Sequence, residues 1–600
     1  MHKNDMNRNN SILSTTRSGE VVIRSMISSQ MACILTAVGP QLVVILNTLI
    51  VSHFLGAECF KAISAFNPTS GMLLVLINTC CIGPSVHAGK AYGELNVQKA
   101  NRLFSFSTLF TTVLSIITAF ILFAFKSDIA GMMTSDIGLQ EYLVDYISPV
   151  SLYMVLSAAT CILNTFVTAS GYVKRVTAAV LTSGAANIIS MFVLINVFHF
   201  GVAAAGIALC ISALTNITIL LPLALGKRFP FRFVVPDSSL PRLVKDNVLV
   251  WISIESGALS EVFFVFLTNI VILHFLPSEG LFIWGVCQMA ITISDIFSAG
   301  IYEAYIYVDA ILIGEGDNAG IMKIAKSLLY ETIIVLVSLA IIFTLFSDKF
   351  AVLFGADTTP LIQATRIPLT CVVWFISLKN ILITFGIFSI QRRPMIKLSY
   401  DIMTAFATPA VMFLTAILLG GTNLWLGFAF TPLLLVSYVA IVNAVYCRRD
   451  RNLIPYFLLN KINDTVTLDV SISYSMGNMQ EELSRIRTFL NICEISEILA
   501  GKIELCCEEL MVNIQGMDTS GGTYDLRLSD CENSVNIVAK SFGKPISPVI
   551  NNRIASDFMQ HGTIPDSKEL SIYCLINSCS KIDYHYVYGM NVAYLHFNKE

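Results

Sequence analysis

The sequence predicts a polytopic, all-α membrane protein with twelve transmembrane helices in two parallel six-helix repeats, followed by a soluble α+β domain. Three observations predict it. First, 55% of the 600 residues are hydrophobic and only 13% are charged. With a mean hydropathy of +0.71, that lies far from the soluble average. Second, the chain repeats itself at one constant offset. His53, Phe54, Leu55 and Glu58 return as His274, Phe275, Leu276 and Glu279. Gly93 and Glu94 return as Gly314 and Glu315, and Phe125, Ala130 and Asp136 return as Phe346, Ala351 and Asp357. Three separated clusters holding an offset of 221 residues require duplication rather than chance. Third, the cations alternate from one side of the apolar runs to the other.

Taken in order, residues 1–26 are polar and basic with no apolar run, so no cleavable signal peptide is expected. Apolar runs long enough to cross about 30 Å of hydrocarbon fall near 31–54, 63–86, 104–126, 146–168, 176–198 and 202–225. After a polar linker, 226–247, six more fall near 249–275, 281–305, 327–346, 367–389, 399–419 and 424–446. The expected bundles are therefore 27–225 and 248–447, with a second linker at 448–464 and the soluble domain at 465–600.

Lys3, Arg8, Arg17, Arg24, Lys90, Lys99, Arg102, Lys174, Arg175, the 227–245 cluster, Lys323, Lys326, Arg392, Arg393, Lys397, Arg448, Arg449 and Arg451 fall on one side. Lys61, Lys126, Lys349 and Arg366 fall on the other. That asymmetry predicts both termini in the cytoplasm. An even number of spans per module makes the repeats parallel, related by an axis along the membrane normal. The alternative is an unduplicated bundle.

Embedded charges gather in the second module. The first six spans carry neutral polar groups such as Asn47, Asn78, Asn164 and Asn187, whereas the second module places Glu255, Glu261, Asp295 and Lys379 inside its spans. Glu261, Asp295 and Lys379 share a depth near the midplane, where opposite charges can neutralise each other. They are candidates for ion and substrate binding; the alternative is an ion pair that only holds three helices together. Asp309, Glu303 and Asp401 fall nearer the cytoplasmic ends, where headgroup contact accounts for them.

The stretches NTLIVSHFLGAECFKAISAFNP, GKAYGELNVQKANRLFS and TASGYVKRVTAAVLTSGAANIISM resemble the multidrug and toxic compound extrusion (MATE) family over roughly residues 25–450. The resemblance implies a V-shaped pair of bundles, export of an organic substrate, and inward H⁺ or Na⁺ as the coupling ion. Departures matter as much. Where the family often has an Asp in span one, this chain has Asn47, and its span-five Asn-x-x-x-Asp keeps Asn187 but has Met191 at the acidic place. Glu261 is similar in position to the family's span-seven acid, while the span-ten Asp of some members falls at or near Lys379.

Beyond residue 465 the apolar runs are too short to span. Val466–Ser473 alternates like a strand, residues 479–507 carry helical periodicity, and residues 524–528 with 535–539 read as a hairpin. Two more helices and a final strand near 592–597 complete the expected α+β domain. CEELMVNI, AKSFGKPISP and YVYGMN resemble the histidine-kinase-like ATPases, in particular the anti-sigma-factor kinases. That resemblance implies Glu509 as base, Asn513 as magnesium ligand and Gly543 in the nucleotide site, with Mg-ATP as ligand. Ser541 replaces the adenine-contacting Asp, and residues 569–572, where a phosphate-binding turn is expected, contain no glycine. A degenerate, regulatory domain follows from those two losses.

The fifteen cysteines show no metal spacing and are expected to be reduced thiols. His53 and His274 fall at the external turns of spans one and seven, where packing is favoured over pH sensing. Two functions remain. One is a non-enzymatic secondary exporter in a bacterial plasma membrane, H⁺-coupled, moving a small organic and drug-like substrate, with a cytoplasmic domain that binds a regulatory protein; a lipid-linked flippase is a variant of it. The other is a membrane-anchored signalling protein whose transporter-like part senses a ligand. Neither engages nucleic acid.

Overall fold

The structure is a computed structural model that describes residues 20–55, 57–94, 96–133, 137–226, 229–235, 240–276, 280–353, 359–460, 466–473, 476–515, 523–531, 533–542, 578–587 and 590–599. Twelve helices among these residues are long and apolar enough to cross a membrane. Lobe one holds α1 (Glu20–Phe54), α2 (Ala57–Gly93), α3 (Val97–Ala124), a short α4 (Lys126–Met133), α5 (Ile137–Ala169), α6 (Val173–Asn196) and α7 (Ala203–Ala224). Lobe two holds α8 (Leu240–Phe275), α9 (Gly280–Gly314), α10 (Asn318–Leu345), a short α11 (Ser347–Leu353), α12 (Thr359–Ser389), α13 (Pro394–Leu419) and α14 (Leu426–Arg449).

The duplication is legible in helix ends. Val97 and Asn318, Ala124 and Leu345, Lys126 and Ser347, and Val173 and Pro394 open or close matching helices, each pair 221 apart. Even the caps correspond. Asn96 accepts from Lys99 N–H at the start of α3, and Asp317 accepts from Gly320 N–H at the start of α10. The helices outrun the apolar runs that announce them. α1 begins at Glu20, inside the segment expected to precede the first bundle, and α8 begins at Leu240, inside the expected linker. The added turns mix polar and apolar residues, and Val21, Val22 and Met26 of α1 are buried in the apolar cluster that crosses between the lobes. The short helices α4 and α11, eight and seven residues long, are too brief to carry a spanning apolar run.

Each lobe has its own core, one around Phe66, Tyr146 and Met191, the other around Trp284, Phe375 and Phe428. A third apolar cluster crosses between the lobes. The inter-lobe contacts recorded among the described residues gather in one half of the bundle, the half from which α1 starts and α14 ends. We call it the tail side. There Ser85 meets Tyr307 at 3.3 Å and Trp251 Nε1 donates to His87 Nδ1 at 3.2 Å. Gln30 donates to Glu331 at 2.5 Å. Glycines make the approach possible: a Cβ on Gly300 would lie 2.6 Å from the Ile34 backbone nitrogen, and one on Gly83 would lie 2.4 Å from Trp251.

After α14 the chain makes a two-stranded hairpin, β1 (Leu453–Ile454) with β2 (Leu459–Asn460), in the stretch expected to be a linker. It is pinned to lobe two by Arg393, which donates to Leu458 O at 2.8 Å, and by Tyr456 against Phe388. Next comes an antiparallel sheet of β3 (Val466–Ser473), β4 (Thr523–Asp530), β5 (Ser534–Phe542), β6 (Lys581–Val587) and β7 (Met590–Asn598) in the order β3-β4-β5-β7-β6. Helices α15 (Met476–Ile492) and α16 (Glu497–Gln515) replace the single periodic stretch read from sequence, broken where Glu494 takes a positive φ of 54°. The edge strand β6 was not anticipated, its apolar residues being interrupted by Lys581, Asp583 and His585. The two further helices expected between the hairpin and the last strand lie outside the described residues, as does Gly543.

Candidate substrate and ion cavities

The second-lobe spans converge on a cavity of about 830 Å³ that also reaches Ala37, Ile82, Val86 and Thr165 of lobe one. Glu261 from α8 and Lys379 from α12 meet across it, Nζ to Oε2 at 2.9 Å, with side-chain exposures of 33% and 12%. The ammonium also lies 5.6 Å from the Phe264 ring centroid. Asp295 from α9 is held one residue further along α12, accepting from Asn380 Nδ2 at 2.8 Å, and the same amide donates to Ser298 at 3.0 Å. Tyr302 donates to the Asn380 carbonyl, and Tyr400 to the Lys379 carbonyl at 2.8 Å. The backbone carrying Lys379 and Asn380 is thus fixed from two neighbouring helices, so the charges sit on a rigid frame.

A second ion pair lines the same cavity. Lys397 and Asp401, four apart on α13, meet at 2.6 Å and are 6% and 2% exposed. Ser256 donates to Asp401 as well, and Ser260 donates to the Asp401 carbonyl at 2.6 Å. Gly386 lets α12 come close enough to cover the pair, since a Cβ there would stand 3.0 Å from Lys397 Cα. From sequence, Asp401 and Glu303 were read as end-of-helix charges. The structure instead places both at the cavity, together with Glu255. The overlooked signal is the spacing of Lys397 and Asp401, which puts opposite charges on one helix face. Only Asp309 of that trio stays off the cavity, buried against Tyr305 at 3.3 Å. The cavity therefore carries five carboxylates (Glu255, Glu261, Asp295, Glu303, Asp401) and two ammonium groups.

Lobe one holds a separate cavity of about 410 Å³ without any charged side chain in its lining. Asn47 and Asn187 are brought together here with Asn164 and Asn216, and Met191 forms part of the wall. Asn187 is fully buried, and its amide finds no hydrogen-bond partner among the described residues. Asn78 is elsewhere engaged, accepting from Cys161 at 3.2 Å. Among its apolar side chains the wall's amides and hydroxyls offer hydrogen bonds, with no carboxylate or ammonium group.

The remaining candidates are dispersed. Glu509 sits half-buried on α16, and Ser541 is buried on β5, while the side chain of Asn513 lies outside the described residues. His274 packs its ring against Phe275, 4.8 Å between centroids, and the His53 side chain is likewise outside the described set.

The chain thus has two pseudo-symmetric six-helix lobes with two embedded polar cavities. The profile of the MatE family matches residues 32–193, most of lobe one. Solved structures carry the likeness through the rest of the bundle. A MATE protein in a bent conformation aligns with TM-score 0.64 at 16% identity, over 73% of this chain and 98% of its own. A MOP superfamily transporter from Pyrococcus furiosus, described as having a binding pocket of reverse polarity, aligns with TM-score 0.63 at the same identity and coverage. A multidrug resistance MATE family transporter in an outward-facing conformation gives 0.62, again at 16% identity over 73% and 98%. At that identity the likeness shows the fold. No curated protein matches the chain.

Proposed function

We propose that this protein is a secondary active exporter that moves a small organic substrate bearing positive charge by alternating access of its two lobes. The observation that carries the reading is the second-lobe cavity, where five carboxylates face two ammonium groups in a space of about 830 Å³. An excess of negative charge inside a low-dielectric wall attracts cations and disfavours anions. H⁺ fits better than Na⁺ as the coupling ion. The Lys379 ammonium already occupies the place beside Glu261 that a small cation would need, whereas Glu255 and Glu303 remain as carboxylates to exchange a proton. Lobe one, with Asn47 and Met191, has no acid in its cavity to take part.

In this reading the tail side is cytoplasmic, the membrane is a bacterial plasma membrane, and the C-terminal domain is a regulatory domain of the histidine-kinase-like type that does not catalyse. The test is transport in vesicles under separate H⁺ and Na⁺ gradients for the wild type, Glu261→Gln, Glu303→Gln, Lys379→Ala and Lys379→Asp. An H⁺-driven wild type, slowed by Glu303→Gln, supports the reading. Transport driven by Na⁺ alone, or full activity in every variant, overturns it. Impermeant thiol labelling of cysteines placed beside Gly93 and Gly314 tests the orientation, both sites being protected in intact cells.

A further inference from the structure

The sheet of the C-terminal domain has two dissimilar faces. In antiparallel register, Leu468, Leu528, Ile537 and Leu595 stand opposite one another, as do Val470, Leu526, Ala539 and Ala593. These rows form the domain's own core with α15 and α16. The alternate rows, Asp469–Arg527–Val538–Tyr594 and Ser471–Asp525–Lys540–Val592, point the other way because side chains alternate along a strand. That second face is buried against the membrane helices: Val538, Met590, Val592 and Tyr594 join the apolar cluster that crosses between the lobes.

Its polar residues reach both lobes. Asp525 accepts from the Val21 N–H at 3.0 Å, in the first turn of α1 in lobe one, where a carboxylate satisfies an otherwise unpaired helix N–H. In lobe two the target is the turn Glu315-Gly316-Asp317 between α9 and α10. Lys540 pairs with Glu315 and lies 3.5 Å from Asp317. Arg527 pairs with Asp317 at 2.5 Å and donates to Gly316 O at 3.2 Å, while Tyr594 donates to Glu315 at 2.8 Å. Lys540, Arg527 and Glu315 have side chains exposed by only 4%, 8% and 1%.

The duplication shows what is special about that turn. In lobe one the equivalent Glu94 is served locally, by Lys99 at 2.8 Å and Lys90 at 3.9 Å. In lobe two, 221 residues on, those lysines are Ile311 and Gly320, and the cap Asn96 has become the charged Asp317. Lobe two thus has more negative charge in this turn and neither of the local cations. The C-terminal domain supplies them.

We propose that the C-terminal domain is a clamp that bridges the two lobes and holds their tail-side seam shut, fastened to lobe two by Lys540 and Arg527 in place of the repeat's missing lysines. Opening of the tail side then requires the sheet to leave the 315–317 turn. A cytoplasmic signal that competes for this face permits transport. The clamp itself rests on the contacts; its consequence for transport rests on the alternating-access reading above.

The test uses the full chain in nanodiscs and reads the alkylation rate of Cys33, which is fully buried and precedes the Ile34 backbone that meets Gly300 in the seam. Peptide-resolved mass spectrometry follows that thiol, and hydrogen exchange of β4 and β5 reports whether the sheet face is covered. The expected result is at least about fivefold faster Cys33 alkylation in Lys540→Glu/Arg527→Glu, with faster exchange in β4 and β5. The swap Lys540→Glu/Glu315→Lys should return both toward wild type. Uncovered strands with an unchanged Cys33 rate overturn the clamp, and so do strands that stay covered in the double variant. A swap that fails to restore either signal also overturns it, since general unfolding then explains the first result. No substrate is needed, so failure here is distinguishable from failure of the transport assay.

Discussion

Replacing Lys379 by Met tests the frame of the second-lobe cavity, because Met keeps most of the stem and removes only the charge. At about 3 Å and an effective dielectric constant of about 20, two unit charges attract by about 5 kcal/mol, much of it offset by the cost of taking both from water. Breaking a buried pair from one side costs about 3–5 kcal/mol, because the partner is left uncompensated. Glu261 is a third exposed and Lys379 is 12% exposed, so water reaches the stranded carboxylate and the low end applies, about 3 kcal/mol. The Phe264 face, 5.6 Å from the ammonium, loses its contact in the same variant. Glu261→Gln alone strands the ammonium in turn, and the double variant Lys379→Met/Glu261→Gln removes both charges. The expected coupling between the two single changes is about 2 kcal/mol, read by SDS titration of the protein in mixed micelles with circular dichroism. A coupling below about 0.5 kcal/mol would mean that the 2.9 Å contact is a solvated rim pair, and the argument from cation exclusion would go with it.

The seam should respond to a single methyl group. Gly300→Ala places a Cβ against the Ile34 backbone, which cannot swing aside. Overpacking of this kind costs about 1–3 kcal/mol, and Cys33 should be alkylated faster; an unchanged rate contradicts the close approach. Nucleotide binding by the C-terminal domain is expected to be weak or absent, given Ser541 and the lack of glycine in 569–572. Calorimetric titration of the full chain with Mg-ATP checks this, and low-micromolar binding refutes it. Docking of the sheet should also depend on pH. Burial pushes the Asp317 carboxyl up, but Lys540 and Arg527 outweigh it and hold it below the usual carboxylate range. It therefore favours docking above about pH 4, and the benefit fades as pH falls through the depressed value. Asp469 is pushed up to about 6 by burial and by Asp317, against Arg527, Lys540 and Lys323, so it opposes docking progressively as pH rises from about 4 to about 6 and by a constant amount above that. Energy transfer between dyes on the exposed positions 225 and 498 should be greatest near pH 4, fall as pH rises to about 6 and level off above it; a steady rise to pH 8 contradicts the assignment.

The bundle was legible because hydrocarbon imposes a length and an apolarity that a sequence cannot hide. Glu261 and Lys379 could be matched by depth alone, since counting residues along two spans fixes height at about 1.5 Å per residue. What depth does not fix is azimuth. Glu303 and Asp401 were misread for that reason: their heights suit a headgroup, but α9 and α13 turn them inward to the cavity. The docking face was invisible for a different reason. Asp525, Arg527 and Lys540 alternate with apolar residues, as the solvated face of any half-buried strand does. Nothing local distinguishes a charge that meets water from one that meets Glu315 across more than 200 residues of chain.

The same divergence accounts for both charged regions of lobe two. A duplicated module begins with the same side chains in both copies, so any function confined to one copy has to appear as a departure at matched positions. Lobe one keeps neutral amides in its cavity and local lysines on its Glu94 turn. Lobe two has gained charges in its cavity and, at the matched turn, has Ile311 and Gly320 in place of those lysines. The two changes lie on adjoining stretches of one helix, since α9 carries Asp295, Tyr302 and Glu303 at the cavity and ends at the 315–317 turn where Lys540 and Arg527 are bound. A rigid helix with the cavity at its middle and the docked domain at its end ties the two together without any further part. Movement of α9 that opens the cavity toward the tail side must also move the turn, and a domain that holds the turn resists it. Coupling of that kind is reciprocal: if docking disfavours opening, then a substrate or proton that favours opening must loosen the domain.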